Sequence, residues 1–257
     1  MMLEKPEWAK TCGMDGYGKW ASFSIEDEQG NKITQRMRWI QPGTFLMGSP
    51  ENELGRYDEE GPQHLVTLTQ GFWLFDTPCT QALWQAVMGN NPSQFQGADR
   101  PVEQVSWWDC KEFIMRLNSL LPGLRLDLPT EAQWEYACRT GTTTPFSFGA
   151  NITPEQVNYD GNYAYTSPVA SLPTNLWGLY DMHGNVWEWT QDHWHENYRD
   201  APSDGSAWID SDAGALRVIR GGSWRVSARR VRAAYRYGRD PGYRFDSLGF
   251  RCARVQE

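Results

Sequence analysis

Residues 140–257 contain no segment in which apolar residues recur with the 3.6-residue period of a helix. Short strand-like runs, many Gly and clusters of aromatic residues fill this part of the chain instead. The whole chain of 257 residues has 14 Trp, 24 Gly and 15 Pro. These features predict a core of indole rings surrounded by irregular backbone, and they exclude a coiled coil or a collagen-like chain. The aromatic clusters lie at 177–180, 186–189 and 221–224.

Three helices are predicted in the part of the chain before residue 140. Each follows a Ser or Thr that can accept a hydrogen bond from a backbone N–H of the first helical turn. Apolar and polar residues alternate at 19–25, 33–40 and 64–68, which predicts strands. This order of elements indicates one α+β domain that is rich in loops. The helices are predicted after Thr80 to about Met88, after Ser106 over Trp107–Leu120, and after Thr130 over Glu131–Arg139.

Charge is distributed unevenly along the chain. The net charge is −8, yet residues 217–257 hold 11 Arg, no Lys and three acidic residues. Phosphate-binding surfaces usually mix Lys with Arg, so nucleic-acid binding is not predicted from this segment. Several of these Arg alternate with apolar residues, which is typical of guanidinium groups that tie loops to carboxylates.

Membrane and export signals are not evident in the sequence. No apolar run reaches the roughly 18 residues that cross a bilayer, and residues 1–10 are partly charged. We therefore expect no membrane insertion and a cytoplasmic location, with surface or phage-associated display left open. The five Cys have no metal-binding spacing, which predicts reduced thiols used as small apolar side chains. They are Cys12, Cys79, Cys110, Cys138 and Cys252.

Six motifs between about Arg38 and Arg254 resemble the formylglycine-generating enzyme (sulfatase-modifying factor) family. They are GTFLMGS at 43–49, PVEQVSW at 101–107, LPTEAQWEYA at 128–137, GLYDMHGNVWEW at 178–189, RGGSW at 220–224 and LGFR at 248–251. The resemblance implies an α+β, C-type lectin-like fold of the formylglycine-generating enzyme type, loop-rich with little regular secondary structure. It also implies a domain at 38–257, on which an N-terminal extension at 1–37 packs.

The catalytic residues of the family's oxidases are not matched. Those enzymes bind copper through two Cys that follow the Gly-Gly-Ser-aromatic motif. By residue count these positions are Val226 and Val231 here, and Val cannot ligate a soft metal. The resemblance thus implies no copper and no oxidase activity. A second branch uses a three-His iron site, but we interpret the close pair His193 and His195 as hydrogen-bonded loop residues.

Residues 221–251 also resemble the variable region of diversity-generating retroelement proteins. Fixed blocks GGSW, AR, VRAA, R, DPG, R and LGFR alternate with gaps of 3, 1, 1, 3, 1 and 3 residues. In that family the gaps are Asn codons of a template, and adenine-directed mutagenesis rewrites them. Changes in the first two bases of an Asn codon can give every gap residue found here. The gap residues are Arg225, Val226, Ser227, Arg230, Tyr235, Tyr237, Gly238, Arg239, Tyr243, Phe245, Asp246 and Ser247.

The composition of the gap residues suits a ligand-binding surface. Tyr and Phe offer stiff contact area, Arg offers forked donors, and Gly and Ser let loops adapt. We therefore predict that all twelve gap residues are exposed. The Arg of the fixed blocks are predicted to be paired inward as part of the scaffold. These are Arg229, Arg232, Arg236, Arg244 and Arg251.

The loop DMHGNVWE at 181–188 contains two carboxylates separated by turn residues. Hard cations take carboxylates together with main-chain carbonyls. The family binds calcium in this loop through residues that match Asp181, Gly184, Val186 and Glu188, so the resemblance implies a structural calcium ion. From the residues alone, Asp181 and Glu188 could equally accept hydrogen bonds from backbone N–H groups or Arg.

The leading functional hypothesis is a non-catalytic, monomeric display protein. Its C-terminal surface would be diversified by a retroelement to bind varied targets, which are proteins or other macromolecules. One alternative is a family member that performs oxidoreductase chemistry without the copper Cys pair. A structural scaffold inside a larger assembly is the other alternative.

Overall fold

Short strands and three helices are the regular elements of residues 5–212 and 214–255, the part of the chain that the computed structural model describes. The helices are α1 (Gln81–Met88), α2 (Trp107–Leu120) and α3 (Glu131–Arg139). The strands are β1 (Thr11–Asp15), β2 (Gly18–Glu26), β3 (Lys32–Ile40), β4 (Gly43–Met47), β5 (His64–Leu68), β6 (Phe72–Phe75), β7 (Trp187–His193), β8 (Arg217–Arg220), β9 (Arg236–Arg239), β10 (Leu248–Gly249) and β11 (Ala253–Val255).

Two sheets and a hairpin position the rest of the chain. The larger sheet is antiparallel, with the order β1-β2-β3-β6-β11. The smaller sheet has the order β10-β7-β8-β9, and β10 runs parallel to β7. β4 and β5 form a separate antiparallel pair. The smaller sheet therefore gathers three short strands of the Arg-rich C-terminal segment around β7.

The helix starts follow the predicted side-chain caps. Thr80 accepts a hydrogen bond from the N–H of Leu83, and Ser106 and Thr130 each form a capping box with the third helical residue. Gly89 ends α1 in the left-handed region at φ 78°, which glycine adopts without a Cβ clash. The three predicted helices are confirmed with these bounds.

The N-terminal segment is part of the larger sheet. The boundary predicted between residues 37 and 38 falls inside β3, which pairs with β2 on one side and with β6 on the other. Buried Phe23 and Met37 join these strands to the same apolar core as Phe75 of β6. The structure thus corrects the prediction of an extension at 1–37 that packs on a domain at 38–257.

The cysteines are free thiols, as predicted from their spacing. All five Cys are free, and all except Cys12 are buried. Burial raises the pKa of the Cys138 thiol to about 12, which keeps it protonated and apolar in character. None of the helices in the described residues has the length and apolar character that crossing a membrane requires.

Candidate functional site

An open pocket of about 330 Å³ lies against the smaller sheet, and we call it the C-terminal pocket. Gap residues from 225–230, 235–239 and 243–247 line it, with Trp187, Ile219 and Leu248 from the sheet. Nine of the twelve gap residues contribute to this lining, and those that do not are Ser227, Gly238 and Asp246. Three separate stretches of sequence are thus brought together at one concave surface.

Aromatic rings at the rim of the pocket are partly exposed. Tyr237, Tyr243 and Phe245 expose between 36% and 39% of their surface. Tyr243 stacks on Phe245 with ring centroids 5.9 Å apart, and Tyr237 packs near Trp194 at 6.3 Å. These rings support one another and still present a face to solvent, as the sequence predicts for gap residues.

Two gap residues are buried and four are half-buried, so the prediction that all twelve are exposed is wrong for these six. The half-buried ones are Val226, Gly238, Arg239 and Asp246. Tyr235 is 3% exposed and packs between Tyr57 and Trp187, with centroids 5.1 and 5.7 Å away. Burial raises the pKa of Tyr235 to about 12. Ser247 is 2% exposed, and its carbonyl accepts a hydrogen bond from the N–H of Trp187 where β10 meets β7. Both residues form the floor of the C-terminal pocket.

The arginines near the pocket are held in different ways. Arg225 forms an ion pair with Asp246 at 2.9 Å. The guanidinium of Arg239 lies over the rings of Tyr237 and Tyr243, at 4.5 and 5.0 Å from their centroids. A hydrogen bond with the Tyr57 phenol raises the pKa of Arg230. The pocket thus combines guanidinium groups with aromatic faces.

Three of the five fixed-block arginines are buried in ion pairs. Arg232 pairs with Glu53 and Glu60, Arg236 pairs with Glu131, and Arg251 pairs with Glu188. A bidentate pair fixes both partners because two parallel hydrogen bonds define one geometry. These side chains anchor the segment between the gaps to the helices and loops behind it.

The other two fixed-block arginines lie at the surface, which corrects their predicted inward pairing. Arg229 is exposed and lies over the ring of Tyr57 at 3.7 Å. Arg244 is also exposed and pairs with Asp109 of α2. Arg229 belongs to the short 3-10 helix Ala228–Arg230, and Arg244 lies in the loop between β9 and β10.

A buried ionic network beneath the pocket was missed by sequence reasoning. Arg220 of β8 donates to Glu135 of α3 and to the carbonyls of Ala233, Ala234 and Tyr235. Arg139 donates to the same carboxylate at 2.8 Å. The sequence does carry a signal for this network. Glu131 and Glu135 lie on the same predicted helix as Trp134 and Ala137, and charged residues that become buried with such apolar residues need charged partners.

The four residues implied as calcium ligands lie in one turn, but their carboxylates are already engaged. Both oxygens of Glu188 accept hydrogen bonds from Arg251 at 2.7 Å, and Oε2 also accepts one from Trp134. Asp181 accepts from the Ala170 N–H at 3.1 Å, and burial raises its pKa to about 6. Glu188 therefore does not fit as a calcium ligand in this arrangement, and calcium binding stays a prediction of the sequence.

We expect calcium to leave the melting temperature unchanged, because a cation would have to displace Arg251 from Glu188 at a fully buried site. The measurement compares thermal melts in EDTA and in millimolar calcium. A clear rise with calcium would contradict this expectation and support the ion implied by the family resemblance. The rise would follow from binding to the folded state alone.

The positions of the oxidase thiols hold packed aliphatic side chains. Val231 is fully buried with Phe146 and Val157, and Val226 is partly buried against the same cluster. Cys252 lies in a different core cluster. Within the described residues, no three His, Cys, Asp or Glu side chains form a group that could hold a metal ion.

The close His pair has structural contacts. The ring of His195 stacks on Trp208 with centroids 3.6 Å apart and lies 2.9 Å from Asp210. Nδ1 of His193 accepts a hydrogen bond from the Asp210 N–H at 3.1 Å. His193 is the buried last residue of β7, which corrects its interpretation as a loop residue. His195 lies in the segment after β7, as that interpretation predicts.

Gap positions at the rim should tolerate truncation, whereas the floor should not. We expect Tyr237→Ser, Tyr243→Ser and Phe245→Ser each to lower the free energy of unfolding by about 1 kcal/mol or less, because their rings are partly solvated. Tyr235→Ser should cost roughly 3–5 kcal/mol, because it removes a buried ring. Chemical denaturation of the four variants tests this prediction. Equal losses in the free energy of unfolding would show that the rim residues belong to the core.

Acid should destabilise the protein through His183, whose pKa burial lowers from 6.5 to about 4. Nδ1 faces the Val231 carbonyl at 2.6 Å, so it donates, and Nε2 accepts from the Ser147 N–H at 3.1 Å. A proton on Nε2 would face the Ser147 N–H and remove that hydrogen bond, so the buried ring favours the neutral form. The stabilisation that the neutral ring contributes is complete above pH 6.5 and is lost as the pH falls towards about 4.

The expected loss across that window is on the order of 3 kcal/mol for this one group. His183→Gln keeps a polar side chain but does not titrate, so its stability should change less between neutral pH and about pH 4. Denaturation midpoints of the two proteins across this range measure the difference. Parallel pH profiles would contradict the assignment to His183.

Two solved structures resemble the whole of this fold. PvdO from Pseudomonas aeruginosa is 32% identical, with a TM-score of 0.79 over 91% of this chain and 98% of that one. Treponema denticola variable protein 1 is 27% identical, with a TM-score of 0.77 over 91% of this chain and 99% of that one. They support the C-type lectin-like, loop-rich α+β fold that the motifs imply.

Curated relatives are longer than this chain. Serine/threonine-protein kinase pkn1 of Chlamydia caviae is 35% identical over 257 residues, which are 89% of this chain and 39% of that protein. Inactive C-alpha-formylglycine-generating enzyme 2 of Bos taurus is 32% identical over 200 residues, which are 71% of this chain and 58% of that protein. The chain thus spans about half the length of these relatives, and they include proteins named as inactive.

The family itself follows from the sequence match and the fold together. Residues 23–256 match the sulfatase-modifying factor enzyme 1-like domain, which covers all the motifs identified above. The match begins within β2, so it includes most of the larger sheet. This chain is a member of the sulfatase-modifying factor enzyme 1-like domain family.

Proposed function

We propose that this protein is a non-catalytic display protein that binds macromolecular ligands, chiefly proteins, through the C-terminal pocket. The observation that carries the proposal is that nine of twelve gap residues, from three stretches of sequence, line this one pocket. The fold brings these nine residues of the segment 225–247 to one concave surface, where a ligand can contact several of them at once. The similarity to a protein named as a variable protein supports the same function.

The scaffold suits repeated change at the gap positions. Arg232 and Arg236 lie between the gaps, and Arg251 follows the last one. All three are tied to buried carboxylates, so the backbone is fixed by residues outside the gaps. Rim residues contribute little to the core because a large part of each ring is exposed. Six of the twelve gap positions are exposed and can thus change without removing a buried side chain, namely Arg225, Ser227, Arg230, Tyr237, Tyr243 and Phe245.

The origin of the gap pattern has a direct test in the surrounding DNA. We expect a reverse transcriptase gene and a near-copy of codons 221–251 close to the gene for this protein. The copy should differ from the gene only where it carries adenine. A copy with differences at other bases, or a locus without such a copy, would contradict diversification by a retroelement.

Copper oxidase chemistry, which the family's oxidases perform through a Cys pair, is tested by copper binding. With Val226 and Val231 at the thiol positions, we expect no tight Cu(I) binding in competition with a chelator. We also expect no oxygen uptake when a Cys-containing peptide is added. Submicromolar copper affinity together with oxygen uptake would favour the enzyme over the display protein.

A further inference from the structure

The C-terminal pocket carries charge opposite to that of the whole protein. The chain has a net charge of −8. Three Arg line the pocket, namely Arg225, Arg230 and Arg239, and none of the described lining residues is Asp or Glu. A positively charged pocket on a negatively charged protein selects ligands by their charge.

Two of these guanidinium charges have no carboxylate partner within the described residues. Arg225 is neutralised by Asp246. The Tyr57 phenol that bonds Arg230 carries no charge, and Arg239 is held over the rings of Tyr237 and Tyr243. A guanidinium stacked on aromatic rings keeps its N–H donors free at its edges, and these match a carboxylate in bidentate geometry.

Apolar surface lies directly beside these cations. Trp187 forms part of the pocket wall, and Tyr243 and Phe245 stack at the rim. Aromatic faces of this kind take aliphatic or aromatic side chains. An acidic residue next to an apolar residue on one peptide would therefore engage both parts of the pocket.

We propose that the C-terminal pocket binds an acidic polypeptide segment. An Asp or Glu carboxylate of the segment pairs with Arg230 or Arg239, and a neighbouring apolar side chain packs on the rings. This inference rests on the proposed ligand-binding function and names its ligand class. The positive charge of the pocket is complementary to a carboxylate. The pocket volume of about 330 Å³ accommodates one or two side chains of such a segment.

A nucleic-acid backbone fits the same surface less well. Phosphate binding uses a row of free cations along the strand. Arg225 and Arg244 are already paired with Asp246 and Asp109, and residues 217–257 contain no Lys. Paired arginines thus interrupt any row of free cations along the described part of this segment, which favours a carboxylate side chain over a strand of phosphates.

The test selects peptides from a displayed random-sequence library on the complete protein. Two variants follow in parallel. One is the double variant Arg230→Gln with Arg239→Gln, and the other is Arg199→Gln as a control, because Arg199 is exposed and lies outside the pocket. We expect the recovered peptides to be richer in Asp and Glu than the input library. The control should recover the same pool, and the double variant should lose it. Thermal melts establish that all variants are folded.

A synthetic copy of a recovered peptide then separates charge from shape. Replacing its Glu residues with Gln should raise Kd about tenfold or more, because a charged hydrogen bond is lost. Recovery of no peptides, recovery of neutral or basic ones, or an acidic pool that survives in the double variant would each overturn the proposal. Tight binding of a labelled single-stranded DNA at about 0.15 M salt, lost in the double variant, would overturn it in favour of nucleic acid.

These outcomes are independent of the test of the proposed function. The template copy in the DNA decides whether the gaps are diversified. The peptide selection decides which chemistry this particular set of gap residues recognises. A neutral pool beside an intact template would leave the display function in place and remove only the acidic ligand.

Discussion

Replacing Trp134 with Ala should lower the free energy of unfolding by roughly 3–5 kcal/mol, because removing a fully buried indole leaves a large cavity. Trp134 is 0% exposed at the centre of α3. Its Nε1 donates to Glu188 at 2.7 Å, and its ring lies 5.3 Å from the Arg220 guanidinium. The loss would be a large share of the stability of an ordinary domain, about 5–15 kcal/mol.

Trp108→Ala is the matched control, because Trp108 of α2 is 49% exposed. We expect this variant to lose about 1 kcal/mol or less. Urea denaturation of both variants beside the parent protein gives the comparison. Similar losses at the two positions would contradict the burial that the structure assigns to Trp134.

Replacing Arg220 with Leu should destabilise the protein by roughly 3–5 kcal/mol. The change removes one partner of a buried ion pair and leaves the Glu135 carboxylate, which is 0% exposed, with less compensation. It also removes the donor to three backbone carbonyls at 233–235. Buried acceptors without donors add to the cost.

Arg225→Leu provides the comparison within the same segment. Arg225 forms its ion pair with Asp246 at the surface, where such pairs contribute about 0–1 kcal/mol. Thermal and urea denaturation should therefore separate two Arg→Leu changes that lie five positions apart by several kcal/mol. A small effect at Arg220 would show that the network is not needed for the fold.

The helices and most of the longer strands could be predicted because their signals are local. A capping residue such as Thr130 stands next to the turn that it caps, and alternation over 33–40 is visible within the strand itself. β6 was missed because Phe72–Phe75 is apolar on both faces, so it has no alternation to detect. β1 was missed because its residues are mostly exposed at the edge of the sheet.

The residues of the candidate site could be predicted because the gap pattern is visible in the sequence. The burial of Tyr235 and Ser247 could not be predicted, because it depends on Tyr57 and Trp187, which are distant along the chain. The spacing of Trp134, Ala137 and Cys138 indicates one buried face of α3, yet every residue of this helix is buried. Its carboxylates Glu135 and Glu131 also find partners in β8 and β9, and no local pattern reveals those pairs.

The pairing of β11 with β6 has a consequence for how the chain folds. The larger sheet begins at residue 11 but receives its last strand from residues 253–255, and Phe75 and Cys79 donate backbone hydrogen bonds to Cys252 and Phe250. Such pairings close very long loops, which slows folding. During synthesis, an N-terminal sheet with an open edge must wait until the ribosome has delivered the C-terminal strand. The emergence of residues 253–255, rather than that of the first strands, would therefore set the earliest time at which this domain becomes native.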